Sequence, residues 1–273
     1  MKYTSKTTAL ASGIKLSYVE QGASDRIPML LLHGVSDSWH SFEPVLPYLP
    51  PSIHAFAVSQ RGHGDSDRPE RYRTRDFAED IGEFMDAVNL REALVVGHSM
   101  GSTNAQRFAI DKPGRFLGLV LAGSFPSYRD NPGIIQLWES EISKLADPVN
   151  PRFVREFQEG TVAQPVPDAF LNTVIEESLK LPALVWRRAF EGFLEDDCVG
   201  ELYKIKAPTL ILWGARDTLC RRSDEDELLA AIAGSRLIVY ESAGHALHWE
   251  EPERFAADLV AFATEVAPEA LPA

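Results

Sequence analysis

The sequence has few cysteines, no long apolar run and no excess of positive charge. Cys198 and Cys220 are too few for a disulfide framework, and they do not form the Cys-x-x-Cys spacing of zinc or redox sites. No run of about 18 apolar residues occurs, and residues 1–13 lack the continuous apolar segment of a signal peptide. We therefore expect a cytoplasmic protein that does not associate with membranes.

The formal net charge of −13 argues against one large class of partner. The densest basic stretch, residues 68–75, is interrupted by Glu70. Because a surface with this charge repels a phosphate backbone, we expect no nucleic-acid partner. The 45% hydrophobic and 25% charged residues are typical of a folded globular protein. The length of 273 residues suits one large α/β domain that carries an inserted piece.

Apolar runs and helical patterns alternate along most of the chain. Short apolar runs predict buried strands at residues 29–32, 53–58, 93–96, 116–121, 209–213 and 237–240. Helical spacing occurs at residues 38–49, 74–88, 99–110, 223–232 and 253–266. This alternation predicts an α/β fold with a parallel sheet covered by helices on both faces. A looser alternation in residues 7–21 predicts an antiparallel hairpin at the edge of the sheet.

The alternation stops between residues 127 and 204. This segment is rich in helix-forming and aromatic residues and is broken by prolines that include Pro148, Pro151, Pro165, Pro167 and Pro182. We expect a helical insertion between two strands of the sheet.

The stretch ALVVGHSMGST, residues 93–103, places Ser99 between two glycines, after a predicted strand and before a predicted helix. In the pattern Gly97-His98-Ser99-Met100-Gly101, the serine occupies a sharp strand-to-helix turn where the glycines relieve crowding. The first free N–H groups of the helix then point at an anion that forms above the serine. The alternative is a chance match, or a serine that only caps the helix.

A serine hydroxyl needs a nearby base, and the base needs a carboxylate to orient it. Asp217 follows the predicted strand at 209–213, and His245 follows the one at 237–240. Both residues therefore lie at the carboxyl end of the sheet with Ser99, where open α/β sheets place their sites. His248 is a second histidine nearby, but helix-like spacing directs it elsewhere.

The segment His33-Gly34-Val35 ends the first predicted parallel strand. In hydrolases with a G-x-S-x-G motif, a backbone N–H from the loop after this strand is the second oxyanion donor. We expect the N–H groups of Val35 and Met100 to form the oxyanion hole, each contributing about 3 to 4 kcal/mol to transition-state stabilisation. His33 itself is expected to be structural.

Five motifs together resemble the α/β-hydrolase superfamily along nearly the whole chain. They are LLLHGVSDSW (30–39), SQRGHGDSDRP (59–69), VVGHSMGS (95–102), PTLILWGARD (208–217) and SAGHALHWEEPERF (242–255). The order Ser99, Asp217, His245 is the order of this superfamily. The resemblance implies a mostly parallel, eight-stranded core formed by residues 1–126 and 205–273. It also implies a helical cap, residues 127–204, over Ser99.

The resemblance also implies which chemistry is absent. Haloalkane dehalogenases and epoxide hydrolases use an aspartate nucleophile, so the serine excludes both reactions. The HGGG loop of the hormone-sensitive-lipase branch is missing. In the loop RGHGDS, His63 and Asp65 are expected to stabilise the loop and to take no part in catalysis.

The expected reaction is hydrolysis of a carboxylic ester or lactone. Ser99 attacks the carbonyl, His245 transfers the proton to the leaving alcohol, and Asp217 orients the imidazolium. No metal or organic cofactor is needed. Alternatives on the same triad are carbon–carbon bond hydrolysis of a ring-cleavage diketone, thioester or amide hydrolysis, and perhydrolysis. A different class is a small-molecule receptor that keeps the triad but turns over slowly.

The aromatic residues of the cap favour a small, mainly apolar substrate. Phe125, Trp138 and Trp186 are the expected wall residues, although most cap aromatics are expected only to hold the cap helices together. The expected partner is this small molecule alone, and the protein is expected to be a monomer or a homodimer.

Overall fold

The computed structural model describes residues 3–196 and 198–268. In these residues, eight strands form one sheet: β1 Lys6–Ala9, β2 Lys15–Gln21, β3 Ile27–Leu32, β4 Ile53–Val58, β5 Ala93–His98, β6 Phe116–Ala122, β7 Thr209–Gly214 and β8 Arg236–Tyr240. Their order is β1-β2-β4-β3-β5-β6-β7-β8. β2 runs antiparallel to β1 and to β4, and the remaining neighbours are parallel. The predicted α/β fold and edge hairpin are confirmed.

The central strands are continuous apolar runs because helices cover both faces of the sheet. Alternate residues of one strand enter opposite cores. In β3, Leu30 and Leu32 pack into one hydrophobic cluster, whereas Met29 and Leu31 pack into the other. Every residue of β5 is buried. This two-sided burial fixes the register of the strands, and with it the position of each loop at the carboxyl edge.

The described helices are α1 Thr74–Ala87, α2 Met100–Asp111, α3 Pro132–Ser140, α4 Pro151–Glu159, α5 Asp168–Leu179, α6 Ala183–Glu195, α7 Arg222–Ala231, α8 Leu247–Glu250 and α9 Pro252–Val266. Short 3₁₀ turns lie at Trp39–Phe42, Leu46–Tyr48, Pro113–Arg115, Ile142–Lys144 and Val199–Lys204. None of the helices in the described ranges combines the length and apolar character that a membrane span requires.

The helix predicted for residues 38–49 is wrong. Two 3₁₀ turns, Trp39–Phe42 and Leu46–Tyr48, replace it. Pro44 and Pro47 explain the difference, because each proline removes an N–H donor that a continuous α-helix over these residues would need. The apolar residues that suggested a helix, such as Phe42 and Leu46, are nonetheless buried.

Four helices, α3 to α6, lie between β6 and β7 and contribute to a hydrophobic cluster shared with the sheet. In this cluster Trp186 of α6 is grouped with Met100 and Phe125, which lie near the ends of β5 and β6. A salt bridge of 2.9 Å also joins Lys180, at the end of α5, to Asp65, in the segment between β4 and α1. All four helices fall within residues 127–204, although the division of the chain into core and cap stays a prediction.

Candidate active site

Ser99 occupies a tight turn between β5 and α2. Its φ of 50° and ψ of −117° lie outside the helical and strand regions, a conformation that non-glycine residues rarely adopt. The neighbouring glycines make this turn possible. A Cβ on Gly97 would lie 2.4 Å from the carbonyl oxygen of Gly101, and a Cβ on Gly101 would lie 2.2 Å from the carbonyl oxygen of Leu32. The turn therefore requires the absence of side chains at both positions.

Asp217 and His245 form a buried hydrogen-bonded pair. The Nδ1 of His245 lies 2.8 Å from Oδ2 of Asp217, and both side chains are almost completely buried. The other carboxylate oxygen, Oδ1, accepts from the backbone N–H groups of Leu219 at 2.7 Å and Cys220 at 2.9 Å. With Oδ2 accepting the Nδ1 proton, Nε2 of His245 is left free to act as a base.

The structure brings Ser99 and His245 to the same cavity, which both residues line. Among the described residues, no hydrogen bond joins the Ser99 hydroxyl to the His245 ring. In unliganded hydrolases the contact between nucleophile and base is often long and tightens when substrate binds. His98 also positions the base, because its Nε2 donates to the backbone carbonyl of His245 at 3.1 Å.

The candidate oxyanion donors lie at the two expected places. Met100 is the first residue of α2, and the first N–H groups of a helix have no partner within the helix. Val35 lies in the loop after β3 and lines the same cavity as Ser99. In the described part of the chain, neither amide donates to a protein acceptor. Both N–H groups are therefore available to an oxyanion at Ser99.

The cavity above Ser99 is mainly apolar. Its apolar wall is formed by Val35, Phe125, Ile134, Leu137, Phe157, Phe190, Phe193, Leu219 and Trp249. Phe125 lies in this wall. Trp138 and Trp186, by contrast, are not among the residues that line the cavity.

The placement of Trp186 corrects the expectation that it touches substrate. Trp186 is completely buried and packs edge-on against Phe153 and Phe157, with ring centroids 5.6 and 5.2 Å away. Because Phe157 lines the cavity, Trp186 supports the wall from behind. Trp138 is partly buried and packs against the hydrophobic cluster that helices α3 to α6 share with the sheet, so its contacts are likewise with protein.

The polar side of the cavity contains Asp37, which the sequence analysis did not single out. Its Oδ1 accepts from Nε2 of Gln158 in α4 at 3.0 Å, and its Oδ2 accepts from Oγ of Ser41 at 3.1 Å. Gln158 also donates to Oγ of Ser36 at 3.0 Å. These bonds connect α4 to the loop that carries the candidate donor Val35. Burial raises the pKa of Asp37 to about 7, although the hydrogen bonds from Gln158 and Ser41 oppose the rise.

The raised pKa of Asp37 predicts how stability depends on pH. A carboxyl group that binds its proton more tightly in the folded than in the unfolded chain lowers the stability of the fold as pH rises towards the folded-state pKa. An asparagine cannot titrate but keeps an acceptor for Gln158. From about pH 5.5 to about pH 8, we expect wild type to lose about 2 kcal/mol of unfolding free energy relative to Asp37→Asn. Urea unfolding at both pH values measures this, and a constant difference would contradict the pKa assignment.

Cys220 lies beside the Asp217–His245 pair. Its Sγ is 3.8 Å from Nδ1 of His245, and ligand atoms of these three residues lie within 4.8 Å of one another, a spacing that could hold a metal ion. The same Nδ1 is already hydrogen-bonded to Asp217, so an ion there would displace the proton that orients the imidazole. Burial and the surrounding carboxylates raise the pKa of Cys220, which keeps it a thiol.

Other conspicuous polar residues of the motifs have structural contacts. His33 receives a hydrogen bond at Nε2 from the N–H of Gln60 at 2.9 Å, and its Nδ1 donates to the carbonyl of Gly34 at 2.7 Å. His63 donates from Nδ1 to the carbonyl of Arg61 at 2.8 Å. His248 is buried, and burial lowers its pKa to about 3. These rings stay neutral and hold loops in place.

Comparisons with known proteins agree with this geometry. The sequence model of the alpha/beta hydrolase family matches residues 29–258, and the chain belongs to this family. It is 29% identical to the AB hydrolase superfamily protein YisY of Bacillus subtilis, over 83% of this chain and 88% of that protein. It is 25% identical to 3-oxoadipate enol-lactonase 2 of Acinetobacter baylyi, over 92% and 93%. An esterase structure from Exiguobacterium antarcticum superposes with a TM-score of 0.86 at 24% identity, over 96% and 100%.

Proposed function

We propose that the protein is a serine hydrolase that cleaves a small carboxylic ester or lactone through an acyl-enzyme on Ser99. The observation that carries this proposal is the buried Asp217–His245 hydrogen bond of 2.8 Å, directed at the cavity that Ser99 shares with His245. A serine in a strained turn, a base and an orienting carboxylate are the three parts that acyl transfer to water requires.

The reaction proceeds in two halves. Ser99 attacks the carbonyl carbon while Nε2 of His245 takes the hydroxyl proton, and Asp217 stabilises the imidazolium through Nδ1. The N–H groups of Val35 and Met100 bind the oxyanion of the tetrahedral intermediate. His245 then gives its proton to the leaving alcohol, and a water molecule deprotonated by His245 cleaves the acyl-enzyme.

The cavity favours a neutral, mainly apolar substrate. Among the described residues that line it there is no lysine or arginine, and the carboxyl group of Asp37 belongs to its wall. An anionic group on the substrate would lose hydration without gaining a cationic partner. The resemblance to a protein named 3-oxoadipate enol-lactonase is consistent with an ester or a lactone as the bond cleaved.

Turnover of p-nitrophenyl butyrate by purified protein tests the proposal. We expect many turnovers per protein molecule. A single burst of p-nitrophenol equal to the protein concentration, followed by no further release, would support the receptor alternative instead. The absence of any release would contradict the proposed acyl transfer.

A further inference from the structure

The wall of the cavity contains a buried hydroxyl that no well-formed hydrogen bond within the described protein satisfies. Tyr128 follows β6, is 4% exposed and lines the cavity with Ser99. Its Oη forms no hydrogen bond of good geometry with a described group, although the hydroxyls of Thr103 and Ser99 lie close enough to interact with it. Leaving a buried hydroxyl unpaired costs about 1 to 3 kcal/mol, so such groups normally have a partner. In a cavity wall, an unpaired hydroxyl is available to a ligand.

Two neighbouring aromatic rings hold the ring of Tyr128 in place. The Tyr128 ring stacks on Phe193 with centroids 5.0 Å apart and lies 4.3 Å from the ring of Phe125. Burial raises the pKa of Tyr128, and the nearby hydroxyls of Thr103 and Ser99 oppose this rise. The phenol therefore stays protonated, and its hydroxyl lies near that of the candidate nucleophile Ser99.

Tyr128 lies on the side of Ser99 that His245 occupies. Its neighbour Phe125 has its ring centroid 6.0 Å from that of His245. In the sheet, β6 lies between β5, which ends just before Ser99, and β7, which ends before Asp217. The candidate oxyanion donor Val35 follows β3, on the opposite side of β5. Tyr128 therefore belongs to the segment after β6, whereas Val35 belongs to the loop after β3, on the other side of β5.

The position of His245 identifies the substrate atom on this side. The histidine must first take the proton of Ser99 and then deliver it to the leaving oxygen, so that oxygen lies next to the histidine. We propose that the Tyr128 hydroxyl donates a hydrogen bond to the leaving-group oxygen of the ester bound at Ser99. This inference rests on the proposed function.

The step balances without a further reactant. As the bond between the carbonyl carbon and the leaving oxygen breaks, its electron pair moves to that oxygen, and His245 supplies the proton that completes the alcohol. Tyr128 keeps its own proton throughout. Its hydrogen bond stabilises the negative charge that the oxygen carries before the proton arrives.

The inference predicts an effect that depends on the leaving group. An ethoxide leaving group develops a strongly basic oxygen and needs this hydrogen bond, whereas p-nitrophenolate spreads its charge over the ring. For Tyr128→Phe, we expect kcat/KM to fall about 10- to 100-fold on ethyl butyrate and less than about threefold on p-nitrophenyl butyrate. Both esters share the acyl group, so the ratio cancels differences in folded fraction between preparations.

Tyr72→Phe is the matched control, because Tyr72 is also buried with an unpartnered hydroxyl but does not line this cavity. It should leave kcat/KM for both esters unchanged. Equal losses on both esters in Tyr128→Phe, or no loss on either, would overturn the role of Tyr128 while leaving the proposed function intact. If the wild-type protein cleaved neither ester, both proposals would be overturned.

Discussion

Replacement of Ser99 by alanine should lower kcat for p-nitrophenyl butyrate by about 10⁴- to 10⁶-fold while the fold remains intact. Without the hydroxyl no acyl-enzyme can form, and only the oxyanion donors and substrate binding still accelerate attack by water. The side chain projects into the cavity and Ser99 contributes its backbone to the turn, so the loss of one oxygen should leave stability nearly unchanged. Steady-state kinetics and a thermal unfolding curve measure the two effects.

Ser102→Ala is a suitable control for this experiment. The Ser102 hydroxyl is also buried near the turn, but it donates to the backbone carbonyl of Ser99 at 2.6 Å and does not line the cavity. Its removal should affect stability more than chemistry. A Ser99→Ala protein that retains more than about a tenth of wild-type kcat would refute the assignment of the nucleophile.

Replacement of Gly101 by alanine should destabilise the fold by at least about 3 kcal/mol. The added methyl group would lie 2.2 Å from the carbonyl oxygen of Leu32 and 2.8 Å from that of His33. Both atoms belong to the backbone at the end of β3, so they cannot move aside as a flexible side chain could. Chemical denaturation measures the loss, and ester hydrolysis should fall with it because β3 leads into the loop of Val35.

Gly114→Ala provides the matched comparison. Gly114 is in a short 3₁₀ turn, and an added Cβ there meets no atom within 4 Å. We expect a change within about 0.5 kcal/mol. Similar unfolding free energies for the two alanine variants would contradict the close approach of α2 to β3 that forms the turn at Ser99.

The strands and most helices were predictable because the local pattern and the tertiary environment agree. The continuous apolar runs that became β4 and β5 are buried over their whole length, as two-sided coverage requires. The prediction of a helix over residues 38–49 was wrong because the apolar residues there have helical spacing, whereas Pro44 and Pro47 prevent a continuous helix. The burial there was predictable, but the backbone conformation was not.

The positions of Ser99, Asp217 and His245 at one edge followed from strand direction, and their catalytic roles stay predictions. Asp37 and Tyr128 were missed because their importance depends on burial by helices from a distant part of the chain. Asp37 had a signal in the sequence, since a carboxylate lies within the motif HGVSDSW. Tyr128 had none, because no local pattern shows whether a tyrosine hydroxyl finds a partner. Trp186 likewise lies behind the wall because it packs against Phe153 and Phe157 of α4.

Mass spectrometry of the protein quenched during turnover of p-nitrophenyl butyrate tests the acyl-enzyme most directly. The account predicts a butyryl adduct on the peptide that contains Ser99, present in wild type and absent from Ser99→Ala. An adduct on another residue, or continued turnover by the Ser99→Ala variant at the wild-type rate, would contradict it.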